Sequence, residues 1–257
     1  MSLSLLRYPG GKTRAAHMLA EHFPYQPQKL ASIFFGGGSL EFMLASKGWK
    51  INAYDNFHSL ACFWDYVKNE PESLYQAVSL YYPLEREMFY NLQQKLTQLE
   101  SSRAHTLEVA AIFYVLNRAS FSGSILSGGC SPDHPRFTQS SINRIMEFDG
   151  MDNIDIEHMD FRDSIIKHPN DWLYLDPPYA LSKQKSNLYG VKGSLHRDFA
   201  HEELFKLLRN RDKWVLSYND CDYIRELYKD CSIYSVDWAY GMPKEKKSKE
   251  IVIKPKI

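Results

Sequence analysis

The sequence predicts an α/β fold: a largely parallel sheet that ends in an antiparallel hairpin and is interrupted by a mainly helical insertion. Three observations lead there. Short β-like apolar runs alternate with amphipathic stretches at both ends of the chain, the pattern of a parallel sheet covered by helices. Between Phe57 and Gly150 strand signals vanish, and three or four helical stretches with a Gly/Ser-rich loop from Ser120 to Gln139 replace them. Finally, two strand-like segments after Ser232 flank a turn rich in Gly, Met, Pro and Lys, which reads as a terminal hairpin. The expected division is residues 1–56 with 151–257 as one domain and 57–150 as an insert.

In chain order, a tight turn from Arg7 to Lys12 precedes an Ala-rich helix from Thr13 to Phe23. Ala31 to Phe35 is a strand that runs into Gly36, Gly37 and Gly38. Ser39 to Lys47 is a helix closed by Gly48, the residue best suited to a left-handed C-terminal position. Lys50 to Asp55 is the next strand. The α/β rhythm resumes with strands at Ile154–Asp160, Trp172–Asp176, Trp214–Asn219 and Ser232–Tyr240. Helices are expected from about Phe199 to Leu208 and from Asp222 to Lys229, and Lys249–Lys254 completes the hairpin. No internal repeat or low-complexity segment occurs.

Composition excludes several classes. The longest nearly unbroken apolar run, Val109 to Leu116, falls far short of the roughly 20 residues of a membrane-spanning helix. The N-terminus reaches Arg7 and a Pro-Gly-Gly turn before a signal-like apolar core forms, so the cytoplasm is the expected compartment. Cys62, Cys130, Cys221 and Cys231 form no C-x-x-C pair, which predicts reduced thiols rather than a disulfide framework or a zinc quartet. No H-E-x-x-H spacing occurs, and no metal is expected; nor is there a G-x-S-x-G elbow for hydrolase chemistry. The 31 Lys+Arg balance 31 Asp+Glu, without the basic excess usual for a polyanion partner. The charges are segregated, however, into an acidic run from Glu147 to Asp163 and a lysine-rich tail from Lys244. Either a basic face or a solvated hairpin tip fits the tail.

Four elements carry chemistry. Tyr8-Pro9-Gly10-Gly11-Lys12-Thr13 suggests a phosphate loop, but that motif needs a glycine where Leu6 stands. What remains is a turn that presents Tyr8 and Lys12 to an anionic or carboxylate group, or a plain turn with a solvated lysine. The strand ending at Phe35 meets Gly36-Gly37-Gly38, and Asp55 closes the next strand. Glycines that let the backbone approach a ligand, followed by an acid that accepts from ribose hydroxyls, fit a nucleoside cofactor. No G-x-G-x-x-G is present, so a dinucleotide is disfavoured and a structural turn stays open. Asp160-Phe161 ends a further strand, where an acceptor beside an aromatic ring could hold adenine. Asp176-Pro177-Pro178-Tyr179 follows a buried strand at the end where open α/β sheets bind ligands. Its prolines remove donors and leave carbonyl acceptors beside a carboxylate and a ring, a setting for a planar group that bears an NH₂.

Together these residues resemble the S-adenosylmethionine-dependent DNA adenine-N6 methyltransferases, in particular the Dam-like group. Tyr8, Gly10, Gly11 and Lys12, the loop Phe35 to Gly38, Asp55, Asp160-Phe161 and Asp176-Pro177-Pro178-Tyr179 stand in that family's order. The resemblance implies a Rossmann-like methyltransferase sheet with an inserted target-recognition domain, S-adenosyl-L-methionine as cofactor and double-stranded DNA as partner, in a bacterial or phage protein. Tyr8, Lys12, Phe35, Gly36, Gly37 and Gly38 are then expected at the methionine part of the cofactor, Asp55 at its ribose, and Asp160 and Phe161 at its adenine. Asp176, Pro177 and Tyr179 form the catalytic motif, with Asp176 also beside the cofactor. Asn117 to Gly123 looks like the start of the family's recognition region. Ser127–Pro132 and Arg136–Gln139 depart from the pattern of GATC readers, so that specificity is not carried over.

An adenine amino group is a poor nucleophile because its lone pair is delocalised. The reading therefore has Asp176 and the Pro177 carbonyl accept from the N6 hydrogens, Tyr179 stack on a base flipped out of the duplex, and the product's proton run to solvent. Arg118, Arg136 and Arg144, and Lys183, Lys185 and Lys192 after Tyr179, are candidate DNA contacts. Methylation of RNA adenine or cytosine N4, or a non-catalytic binding module of the same fold, are the alternatives. Restriction-modification, phage and regulatory settings, and the oligomeric state, a monomer included, stay open.

Overall fold

The computed structural model describes residues 4–8, 11–13, 15–130, 136–180, 199–238 and 248–256. Its seven strands are β1 Lys29–Ser32, β2 Lys50–Asp55, β3 Ile154–His158, β4 Trp172–Leu175, β5 Trp214–Asn219, β6 Ser232–Trp238 and β7 Ser248–Lys254. They form one sheet in the order β3-β2-β1-β4-β5-β7-β6. β1 to β5 run parallel, and β7 lies antiparallel to both β5 and β6. This is a Rossmann-like parallel sheet that ends in two antiparallel C-terminal strands, the arrangement expected from the sequence. β2 and β5 keep the residue bounds that the alternation predicts. What the alternation does not reveal is that β7 enters between β5 and β6.

Alternating side chains are buried on both faces, as a doubly covered sheet requires. Leu30, Ile51, Ala53, Tyr174, Val215 and Val252 face α1 (Ala16–Ala20), α2 (Ser39–Ser46) and α3 (His58–Asn69). Ala31, Tyr54, Leu173, Leu216 and Ile251 face the other core, lined by α8 (Phe161–Lys167), α9 (His201–Leu208) and α10 (Asp222–Leu227). α1 is shorter than the alanine content suggests. Residues after Ala20 turn so that the Phe23 ring packs edge-on against Trp49, Trp172 and Tyr174.

The stretch without strand signals holds α3, α4 (Pro71–Ser79), α5 (Arg86–Ser102), α6 (Leu107–Ala119) and α7 (Gln139–Asn143), more helices than the three or four its periodicity suggests. Thr138 and Ser141 form a reciprocal cap on α7, a signal short enough to vanish inside a Gly/Ser-rich loop. The apolar run Val109–Leu116 is the buried middle of α6, packed against α3, α4 and α5. α3 occupies the crossover between β2 and β3, touching both strands as well as α6. The helices and the first sheet face consequently share one continuous core. Among the described residues no helix is long and apolar enough to cross a membrane.

Candidate active site

The strand order reverses between β1 and β4, and an open α/β sheet binds ligands in the crevice at that point. Two predicted elements meet there because β1 and β4 are parallel neighbours: the glycine loop leaves β1, and Asp176 leaves β4. Gly36 and Gly38 have φ of +51° and +67°, values that side chains disfavour. A Cβ on Gly36 would stand 2.8 Å from the Tyr8 ring, and one on Gly38 would stand 2.6 Å from the Phe35 ring. Tyr8 thus lies against the loop. Phe35 is turned into the core against Phe42 and Trp64, which leaves its backbone at the crevice. The Trp64 indole donates to the Gly36 carbonyl at 3.1 Å and pins the loop from below.

Asp55 is held one strand away. Its Oδ2 accepts from the Gly36 N–H at 3.0 Å and its Oδ1 from the Phe57 N–H at 2.9 Å. Burial raises its carboxyl to about 6 despite those donors. Further hydroxyl donors would relieve that desolvation.

At the end of β4 the Asp176 carboxylate is gripped from two sides. Ser217 of β5 donates to Oδ1 at 2.9 Å, and Lys12 Nζ pairs with Oδ2 at 2.7 Å. The same ammonium donates to the Tyr179 hydroxyl at 2.7 Å and stands 5.1 Å from that ring's centroid. Lys12 is buried, so the basic end of the N-terminal turn lies against Asp176 and Tyr179 and is not solvated. Pro177 is buried beside it.

Two acids complete the floor. Glu41 in the first turn of α2 accepts from Ser32 Oγ at 2.5 Å. Burial raises its carboxyl to about 7, with Asp176 adding repulsion and Lys12 opposing it. Glu250 of β7 is 2% exposed, and its Oε2 stands 3.9 Å from Lys12 Nζ. Reading motifs alone missed Ser217, Glu41 and Glu250. Their available signal was a lone polar residue inside an apolar run, as in Leu40-Glu41-Phe42 and Leu216-Ser217-Tyr218.

Asp160 and Phe161 follow β3, two strands from β1, where the Met159 N–H donates to the Asp55 carbonyl at 3.1 Å. Asp160 caps α8 by accepting from the Arg162 N–H at 3.0 Å and pairs with the Arg162 guanidinium, which in turn grips Glu203. Phe161 is buried against Phe34 and Phe199.

The arginines named from sequence gather around the N-terminal segment. Arg118 donates to the carbonyls of Arg136 and Leu5 at 3.1 and 3.4 Å, and Arg144 to that of Ser4 at 2.8 Å. Arg7, not anticipated, joins them: its guanidinium is 3.5 Å from the Ser120 carbonyl, and its backbone is clamped by the Asn117 amide. Burial lowers the Arg7 guanidinium, and the like charges of Arg136 and Arg118 lower it further. Arg118 is lowered likewise, chiefly by burial, with Arg144 and Arg136 adding to it. Among the described residues no carboxylate pairs with Arg7, Arg118 or Arg136. Lys183, Lys185 and Lys192 lie outside the described residues, as does the turn before β7.

The sheet order, a crevice that brings a glycine loop beside Asp55, and a carboxylate flanked by proline and tyrosine fit a methyltransferase of nucleic-acid amino groups. The family profile of the D12 class N6 adenine-specific DNA methyltransferases matches residues 8–242, and the chain belongs to that family. Its reaction class is methylation of adenine N6 in DNA. It is also similar to the type II methyltransferase M1.LlaDCHI of Lactococcus lactis subsp. cremoris, 23% identical over 249 residues that cover 90% of this chain and 86% of the relative.

Proposed function

We propose that the enzyme binds S-adenosyl-L-methionine along the crevice from Tyr8 and Gly36–Gly38 to Asp55 and Asp160-Phe161, and methylates an adenine flipped out of duplex DNA into the space beside Asp176, Pro177 and Tyr179. The observation that carries this reading is Asp176, a carboxylate fixed by Ser217 and Lys12 at the switch point of the sheet. The glycine loop and Asp55 suit the cofactor: the loop excludes side chains, and the two carboxylate oxygens retain lone pairs for the ribose hydroxyls. When bound, that cofactor supplies an electrophilic methyl on a sulfonium.

Asp176 and the Pro177 carbonyl accept from the two N6 hydrogens, which localises the nitrogen lone pair toward the methyl and needs no covalent enzyme intermediate. Tyr179 stacks on the extruded base. The inserted helices 57–150 act as the target-recognition domain, with 1–56 and 151–257 as the catalytic domain. Arg7, Arg118, Arg136 and Arg144 face DNA, where a concentration of guanidinium groups suits phosphate. Phe121, 59% exposed on the turn beside them, offers an apolar wedge at the gap left by the base. The likeness to a type II methyltransferase supports a role in marking DNA against an endonuclease of the same specificity.

The test is incubation with unmethylated genomic DNA and methyl-labelled cofactor, followed by single-molecule mapping of modified bases. N6-methyladenine at one short motif, lost in Asp176→Ala, is the expected result. Label on RNA or on cytosine, or near-wild-type turnover by Asp176→Ala, would overturn the reading.

A further inference from the structure

Three carboxylates lie around one ammonium under the site. Strand alternation puts Ser32, Asp176, Ser217 and Glu250 on the sheet face that meets α1 and α2; Lys12 and Glu41 approach that face from the N-terminal turn and from α2. In the arrangement described, Lys12 Nζ is 2.7 Å from Asp176 Oδ2 and 3.9 Å from Glu250 Oε2. Each oxygen of Asp176 accepts one bond and keeps a lone pair, but the donor on Oδ2 is the Lys12 ammonium rather than a neutral group. A cation held there draws negative charge from the oxygen and makes it a weaker acceptor for an incoming amino group.

Charge adds a second difficulty. Methyl transfer moves a positive charge onto N6, beside the acid that Lys12 contacts, and an ammonium held there opposes it. Withdrawing a buried ammonium from its partner is costly unless another anion receives it.

We propose that Glu250 is a positioning residue for methyl transfer, the second seat of the Lys12 ammonium, onto which Lys12 shifts when Asp176 turns to the target amino group. Glu250 is already buried within reach, fixed in β7 between Asn219 of β5 and Val236 of β6. The shift frees Asp176 Oδ2 for the N6 hydrogen and moves the like charge away from the reacting nitrogen. The Lys12 side chain needs only rotation about its own bonds to make it. The inference rests on the reading of Asp176 as acceptor of the N6 hydrogen.

The experiment is a double-mutant cycle on the full chain: wild type, Glu250→Gln, Lys12→Met and the double variant, with kcat and both KM values measured on duplex DNA that carries the mapped motif. Glu250→Gln should lower kcat by about tenfold or more with KM values held within about twofold, and should cost nothing further in the Lys12→Met background. A kcat within about twofold of wild type, or an equal loss in both backgrounds, would overturn the proposal. If Glu250→Gln does not fold, Glu250→Asp takes its place in the cycle, since it keeps the charge at shorter reach; an intermediate kcat that disappears as an effect in Lys12→Met supports the seat, and an additive loss refutes it. Failure of wild-type protein to methylate adenine, or an active Asp176→Ala, would instead sink the underlying reading.

Discussion

Glu41→Gln tests the buried charge beneath the site through stability alone. Glu41 is 2% exposed, and burial raises its carboxyl from 4.5 to about 7 although Ser32 donates to it. A carboxyl with a folded-state value above its unfolded one favours the folded protein while protonated. Its contribution is fully present below 4.5 and is lost as the pH rises through about 7. At about 1.4 kcal/mol per unit, the shift from 4.5 to about 7 withdraws about 3 kcal/mol by pH 8. Glutamine keeps the shape and an oxygen for Ser32 but cannot ionise. The variant should therefore lie within about 1 kcal/mol of wild type near pH 5 and exceed it by about 3 kcal/mol near pH 8. Urea unfolding without cofactor, followed at several pH values between these limits, reads the difference directly. Stability curves that run parallel for the two proteins would refute the argument, because they would mean that Glu41 titrates as it does in the unfolded chain.

Two further outcomes follow from the geometry. Asp55→Ala removes the acceptor held by Gly36 and Phe57; it should raise the KM for the cofactor by about 10- to 100-fold, as expected when charge-assisted bonds are removed, and an unchanged cofactor KM with a raised DNA KM would contradict the ribose assignment. Replacing Arg118 or Arg136 by Ala should make the logarithmic salt dependence of DNA binding shallower by about 0.9 for each phosphate no longer neutralised; a shift in sequence preference at constant slope would identify a base reader instead.

The sequence carried the site through motifs whose chemistry is local. Asp176, Pro177 and Tyr179 are close neighbours in the chain, and Gly36 and Gly38 stand together in a loop whose left-handed backbone glycine suits best. Strand alternation likewise set β2 and β5. Other features depend on which distant segments become neighbours. Ser217 reaches Asp176 only because β5 pairs with β4, and Glu250 reaches Lys12 only because β7 enters beside β5 rather than at the sheet edge. Arg7 joins Arg118 because its backbone is clamped by the Asn117 amide, 110 positions away in sequence, a junction without any spacing signature. The short helix α7 was hidden because its start depends on the Thr138–Ser141 cap rather than on a hydrophobic period.

Four of the buried polar residues nonetheless lie together beneath the site, while others, such as Ser59, Ser164 and His168, bond elsewhere. Ser32 and Ser217 sit in buried strands, Glu41 in a buried helix and Glu250 beside three fully buried aliphatic residues, Ile251, Val252 and Ile253. Each position is one where an apolar side chain would serve the core at least as well, since buried carboxylates are weak contributors to stability even when paired. Ser217 bonds Asp176 and Glu250 approaches Lys12, while Glu41, held by Ser32, feels the charges of both, at the point where the sheet order reverses. Three acids set around one lysine give the proposed shift of Lys12 somewhere to go, and in the proposed reaction a positive charge arrives at the adenine nitrogen beside Asp176.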